Sequence, residues 1–283
     1  MNRRNFLRNL ACGIGGGVLL NNAVINGSVF GKKTLSKIGL QLYTVRSNME
    51  KDFEGTLRQV AALGIKEVEF AGYFGRKPEQ VKKLLTELKL DAPSAHFSSV
   101  VGRDELPKAI EDAKIIGHKY LVFAYLREEE RRSLDDYKKL VDKLNKAGEE
   151  CHKAGIQFAY HNHDFEFIKW DGQLPYDLIL SQTDANLVKM EMDLYWITKA
   201  GYDPVSYFEK HSGRFPLVHV KDMDNTPKKY FTEVGHGTID FKRIFSNADK
   251  GGIKHYFIEQ DETPADPLES VKVSVKYLRD LKF

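Results

Sequence analysis

A single (β/α)8 barrel is the fold class this sequence predicts, and three observations carry it. Short aliphatic or β-branched runs alternate eight times with segments of helical spacing, from Lys37 almost to the C-terminus. Strands separated by helices need crossover connections, which means a parallel sheet. Eight such repeats within about 245 residues favour a closed barrel over an open sheet. Neither Gly-x-Gly-x-x-Gly after the first strand nor a Gly-Lys-Ser/Thr phosphate loop is present.

The elements follow in order. Residues 38–42 form the first predicted strand, ahead of a helix with Leu57, Val60 and Ala61 on one face. Residues 65–70 come next, and Pro78 then starts a helix, because its missing N–H has no partner in a first turn anyway. Val81, Leu84, Leu85 and Leu88 make that helix's apolar stripe. Residues 92–96 are the third strand, with Ile110 and Ala113 marking its helix. Residues 120–124 lead into the longest helix, carried by Leu134, Tyr137, Leu140, Val141, Leu144 and Cys151. The last strands are 156–160, 187–192, 215–220 and 256–259, with helices near 175–180, 204–211, 240–248 and 267–281.

Composition agrees with a large folded core. Apolar residues make up 42% of the 283, with 13 Tyr and 17 Phe. Two cysteines cannot build a disulfide framework or a thiolate cluster. No apolar stretch reaches the length of a membrane-spanning helix.

Residues 1–33 read as an export leader, leaving 34–283 as the barrel. Asn2-Arg3-Arg4-Asn5-Phe6-Leu7-Arg8 precedes a short, Gly-rich apolar run from Leu10 to Leu20. Arg-Arg-x-Phe-Leu-Arg resembles the twin-arginine motif, which points to a bacterial periplasm, with an uncleaved cytoplasmic N-terminus as the alternative. Removing Arg3, Arg4, Arg8, Lys32 and Lys33 from a net charge of +3 leaves −2. A body of that charge offers no surface for nucleic acid.

Reactive residues of a barrel cluster where strands run into the loops that follow. The predicted strands end in Gln41 and Tyr43, Glu69, His96, Tyr125, His161 with His163, Glu191 with Asp193, His219 with Lys221, and Glu259 with Asp261. His118 and His255 sit at strand beginnings and read as structural. Imidazole and carboxylate together suit one divalent ion: Mn²⁺, Co²⁺, Zn²⁺ or Mg²⁺.

Six fragments carry a resemblance: Gly39-Leu-Gln-Leu-Tyr-Thr-Val-Arg46, Tyr160-His-Asn-His-Asp-Phe-Glu-Phe167, Met192-Asp-Leu-Tyr-Trp196, Val218-His-Val-Lys-Asp222, Gly235-His-Gly-Thr-Ile-Asp-Phe241 and Ile258-Glu-Gln260. Over about residues 37–282 the chain resembles the xylose isomerase-like TIM barrel superfamily, in its sugar phosphate isomerase/epimerase branch. That resemblance implies a divalent metal held by Glu, Asp, His and Glu at the ends of strands five to eight. Asp193, His219 and Glu259 match the last three. For the first, either His161 takes the ligand place or Glu166 folds back into it; a second carboxylate would better balance the metal charge, which favours Glu166. The Tyr-His-x-His stretch is similar to that of the inosose dehydratases.

The resemblance also implies roles. Glu259, Glu166, His161 and His163 are the candidate bases, and Lys221, His96 and Glu69 position hydroxyls or protonate a leaving oxygen. Gln41, Tyr43, Trp196 and His236 complete the expected sugar-binding set, with Phe97 and Tyr195 as further aromatic faces. The expected activity is isomerisation or epimerisation of a keto sugar through an enediolate. Elimination of the inosose dehydratase or 3-keto-glycoside type is the second reading, and an inactive sugar-binding protein the third. The expected partner is a small carbohydrate, and a homo-oligomer is left open.

Overall fold

The computed structural model describes residues 33–97 and 105–283, and Lys33–Phe283 forms one compact unit. The leader reading lies outside the described residues except for Lys33. Seven strands lead off in chain order: β1 Gly39–Gln41, β2 Glu67–Phe70, β3 Asp91–Phe97, β4 Tyr120–Phe123, β5 Gln157–His161, β6 Val188–Asp193 and β7 Leu217–Val220. A short antiparallel hairpin, β8 Asp222–Met223 with β9 Phe231–Thr232, follows β7, and β10 His255–Ile258 is the eighth barrel strand. All eight barrel strands pair in parallel, and β10 closes the ring between β7 and β1. Each lies within two residues of its predicted bounds.

Period-two alternation sorts the side chains of each strand. One set faces the helices and forms the main core, including Leu40, Val68, Phe158, Met190, Val218 and Ile258. The other set points into the barrel. Tyr120, Val122, Ala159, Leu217 and Phe257 pack there as a separate buried cluster. Gly39 belongs to this interior: a Cβ on it would lie 2.5 Å from the Phe257 ring, so only glycine fits beneath that side chain. Continuing the same inward parity past this apolar floor reaches Gln41, Glu69, His96, His161, Asp193, His219 and Glu259. The strand pattern therefore builds an apolar plug and sets a polar layer on top of it.

The helices between strands are those the apolar stripes predict, with local refinements. Ser133 caps Leu134–Lys153, its hydroxyl accepting from the Asp136 N–H at 3.2 Å. The predicted helix at 240–248 breaks at Asn247 into Phe241–Ser246 and Ala248–Gly251. A six-residue helix, Leu194–Lys199, starts directly at the end of β6. It has no sequence counterpart above, because a turn and a half is too short to show a period.

The two structural histidines hold the opposite end. His118 Nδ1–H donates to the Ala92 carbonyl at 2.7 Å, and Nε2 accepts from the Tyr73 hydroxyl at 3.0 Å. His255 Nδ1 meets Glu67 Oε2 at 2.8 Å.

Candidate active site and metal centre

Seven ionisable side chains meet above the apolar plug, each delivered by the inward parity of its strand. His161, Asp193, His219 and Glu259 bring one ligand atom apiece within 4.8 Å of one another, and all four are buried. His219 Nδ1 lies 2.8 Å from Glu259 Oε2, and His161 Nε2 lies 3.8 Å from Asp193 Oδ2. Glu191 sits against the far nitrogens of both imidazoles and Glu69 against that of His219, while the His96 ring centroid lies 5.2 Å from each of theirs. Lys221, 1% exposed, reaches Asp193 at 3.0 Å and both Glu259 and Asp261 at 2.8 Å.

The electrostatics are those of a cage too rich in negative charge. Burial opposes charge on His219, yet Glu191 and Glu259 push its pKa well above the imidazole range. Burial likewise opposes charge on His96, but Glu69 and Glu191 raise it to about 10. His161 goes the other way: burial, then His219 and His163, hold it well below its usual value, so it is neutral and offers a lone pair. Burial disfavours the Glu259 carboxylate, but Lys221 and His219 keep it well below the ordinary range.

A divalent cation fits this set. Two imidazoles and two carboxylates suit Mn²⁺, Co²⁺, Zn²⁺ or Mg²⁺ in donor type. Asp193 Oδ2 is buried without an aligned hydrogen bond, its contact with Lys221 being an ion pair only. With the Lys221 ammonium beside it but no donor aligned on it, this buried oxygen keeps lone pairs that an ion could use.

The cluster floors a cavity of about 1090 Å³ that opens at the C-terminal ends of the strands. His161, Lys221 and Glu259 line its base, and Tyr43, Tyr125, Phe165 and Trp196 its sides.

The model of the xylose isomerase-like TIM barrel family matches residues 57–281, most of the chain. The chain belongs to this family of enzymes. Among its curated relatives, an inosose dehydratase of Clostridium perfringens is 26% identical over 275 residues, covering 82% of this chain and 90% of its own. That of Lacticaseibacillus casei is 24% identical, covering 81% and 89%. A sugar phosphate isomerase/epimerase from Parabacteroides distasonis superposes with a TM-score of 0.75 at 29% identity, over 89% of this chain and 99% of its own. The IolI protein, solved with a zinc atom, shares the fold at 16% identity and a TM-score of 0.68, over 85% and 95%.

At the end of β5 it is His161 whose ring reaches the cluster of Asp193, His219 and Glu259, and Glu166 lies outside that cluster. Glu166 is fully buried but turned away: its carboxylate accepts from the Tyr160 hydroxyl and from the His163 N–H at 2.8 Å. Burial, opposed by the Tyr160 bond, lifts its pKa to about 7. The reason is local. His161 keeps the inward parity of β5, whereas Glu166 enters a 3-10 turn at Phe165–Phe167 that folds back outside the strand.

The remaining expected residues divide. Tyr43, His96, His163 and Trp196 line the cavity. Gln41 and Glu69 are not among the residues that line it; both are buried, and Gln41 donates to Glu69 Oε2 at 2.7 Å. His236 is 60% exposed, faces Glu233 and is not among the lining residues. Its Gly-His-Gly stretch belongs to a loop wrapped on Asp222, not to a strand end. Glu191, read with Asp193 as a strand-end residue but given no role, joins the layer, its i, i+2 spacing giving both the same inward parity.

Proposed function

We propose that this chain is a divalent-metal-dependent lyase that removes the proton beside the carbonyl of a keto sugar and expels the oxygen on the next carbon. The observation carrying this reading is the position of Glu166. Epimerisation calls for a base on each face of the substrate carbon, and with Glu166 turned away the second carboxylate base is missing. The inosose dehydratase relatives, named for loss of water, support the same direction.

A bound divalent ion would supply Lewis-acid polarisation of the carbonyl and its neighbouring hydroxyl, held by His161, Asp193, His219 and Glu259. His163 takes the proton in this reading. Burial and Lys221 lower its pKa to about 3, so it is neutral, and its Nδ1 is buried without a partner beside the cavity. Lys221 is the proton donor to the leaving oxygen, since burial is overcome by Asp193, Glu259 and Asp261 and it stays charged. The leaving group is water or an alcohol. A cavity of about 1090 Å³ lies at the top of the range for drug-sized ligands, larger than one sugar ring needs. That room favours the aglycone of a keto-glycoside.

Incubation in D₂O with 3-keto-glycosides and with free keto sugars tests the proposal. Elimination gives an unsaturated or hydrated ketone and a released alcohol or water. Deuterium in an otherwise intact sugar would return the protein to the isomerases and epimerases. Binding without turnover by metal-loaded protein would make it a sugar-binding protein.

A further inference from the structure

We propose that Glu191 and Glu69 are positioning residues that fix which nitrogen of each ligating imidazole faces the metal, an inference that rests on the metal site of the proposed function. Glu191 Oε2 lies 3.2 Å from His161 Nδ1 and 3.2 Å from His219 Nε2. Glu69 Oε2 lies 2.7 Å from the same His219 Nε2. His96 Nε2 ties the two carboxylates together, 2.5 Å from Glu191 and 3.2 Å from Glu69, and Gln41 steadies Glu69 from below at 2.7 Å.

The consequence is a matter of tautomers. An imidazole carries one N–H when neutral, and a carboxylate against one nitrogen draws that proton to it. His161, held neutral, then keeps its proton on Nδ1 and turns Nε2 toward Asp193. His219 meets a carboxylate at each nitrogen, and with an ion on its Nδ1 side beside Glu259 it would give up that proton and keep the one on Nε2, against Glu69 and Glu191. The two nitrogens that would then offer lone pairs to the ion are those facing the other two ligands. A carboxylate behind a ligating histidine also raises its basicity toward the metal. Both carboxylates are wholly buried with Oε1 unpartnered, a placement that stability alone does not favour.

Geometry offers one competitor. His96, His161, Glu191 and His219 also bring ligand atoms within 4.8 Å of one another. The two sets use opposite nitrogens of the shared histidines, so one ion cannot occupy both. The set holding Asp193 is assigned because three imidazoles already surround Glu191 Oε2.

The test is metal binding by the apo protein, read by chelator competition and by the visible spectrum of added Co²⁺, in Glu191→Gln, Glu69→Gln and Asp193→Asn. The amide keeps an acceptor oxygen but loses the charge. Glu191→Gln and Glu69→Gln are expected to keep one ion per chain with 10–100-fold weaker affinity and a shifted Co²⁺ spectrum, while Asp193→Asn loses stoichiometric binding. Loss of the ion in Glu191→Gln with retention in Asp193→Asn would assign the inner set instead. Unchanged affinity and spectrum in both glutamine variants would remove the positioning role. Circular dichroism of each apo variant separates misfolding from weak binding, and Glu69→Gln carries the test if Glu191→Gln does not fold. None of these readouts depends on turnover, so a failed lyase assay leaves this inference standing or falling by itself.

Discussion

At the residue scale the site rests on which atoms have partners. Asp193 uses Oδ1 to accept from the Tyr195 and Trp196 N–H groups at 2.8 and 2.9 Å, capping the helix it begins, and keeps Oδ2 for the site. Asp193→Ala or His219→Ala is therefore expected to abolish retention of a divalent ion, measured by metal analysis after gel filtration; stoichiometric metal in the double variant would refute the assignment. His163→Gln tests the base separately: turnover should fall roughly 10²–10⁴-fold while the ion is retained, as general-base losses do. Unchanged turnover in both His161→Gln and His163→Gln would remove the imidazoles from the chemistry.

His118 gives a pH dependence remote from that site. Burial, only partly offset by its bond to Ala92, lowers its pKa from 6.5 to about 4. The unfolded chain thus takes up this proton first as pH falls. Stability from the neutral form is complete above pH 6.5 and is lost as pH drops toward 4, by roughly 3 kcal/mol at most. Urea unfolding at pH 7, 5.5 and 4.5 should show a shallower acid loss for His118→Gln than for the parent chain. Parallel curves would show that His118 is not the group responsible.

At the scale of elements, much of the site was legible and the failures have a common cause. Parity along a strand is regular, so His96, His161, Asp193, His219 and Glu259 could be read as inward from their spacing alone. The same rule singles out Glu191, two residues before Asp193. Past a strand end no period holds. Glu166 is the middle residue of a three-residue 3-10 turn and His236 sits within a loop, and nothing in the sequence says which way such backbone turns. Gln41 and Glu69 belong to the same polar layer but do not line the cavity, because strand stagger, not sequence, sets height in a barrel.

The loop after β7 is held by one carboxylate. Asp222 accepts from the N–H groups of Met223, Gly235, Gly237 and Ile239 at 2.8–3.2 Å. Gly237 is needed for this approach: a Cβ there would lie 2.2 Å from Asp222 Oδ1. The hairpin so anchored carries Phe231 against Tyr195, ring centroids 4.6 Å apart, and into the cavity wall beside Trp196. Asp222→Asn should cost about 2 kcal/mol, in the range for hydrogen bonds to a charged group. It should also raise KM more than it lowers kcat, because the wall loosens while the polar layer stays. A fall in kcat alone would place Asp222 in the chemistry instead.

For the whole molecule, the end of the chain secures the beginning of the barrel. The Lys33 N–H donates to the Phe283 carbonyl at 2.7 Å, and the Phe283 N–H returns the bond to Lys33 at 3.0 Å. Phe283 in turn packs on Phe245, ring centroids 5.6 Å apart. Residue 33 is thus already part of the fold, although the charge pattern alone groups it with the leader. We propose that the protein is exported under its twin-arginine segment and that processing falls between about Ala23 and Lys33, upstream of this bridge. Cleavage inside the bridge would strip two backbone hydrogen bonds and free the last residues from the helix Pro267–Asp280 onward. N-terminal sequencing of the native protein is expected to find a start in that interval in the periplasmic fraction, and Met1 or Asn2 in the cytosol would refute export. A chain begun at Lys33 should melt at the same temperature as the processed protein, whereas one begun at Leu35 should melt a few degrees lower; equal melting of all three would show that the bridge to Phe283 does not hold the barrel's seam.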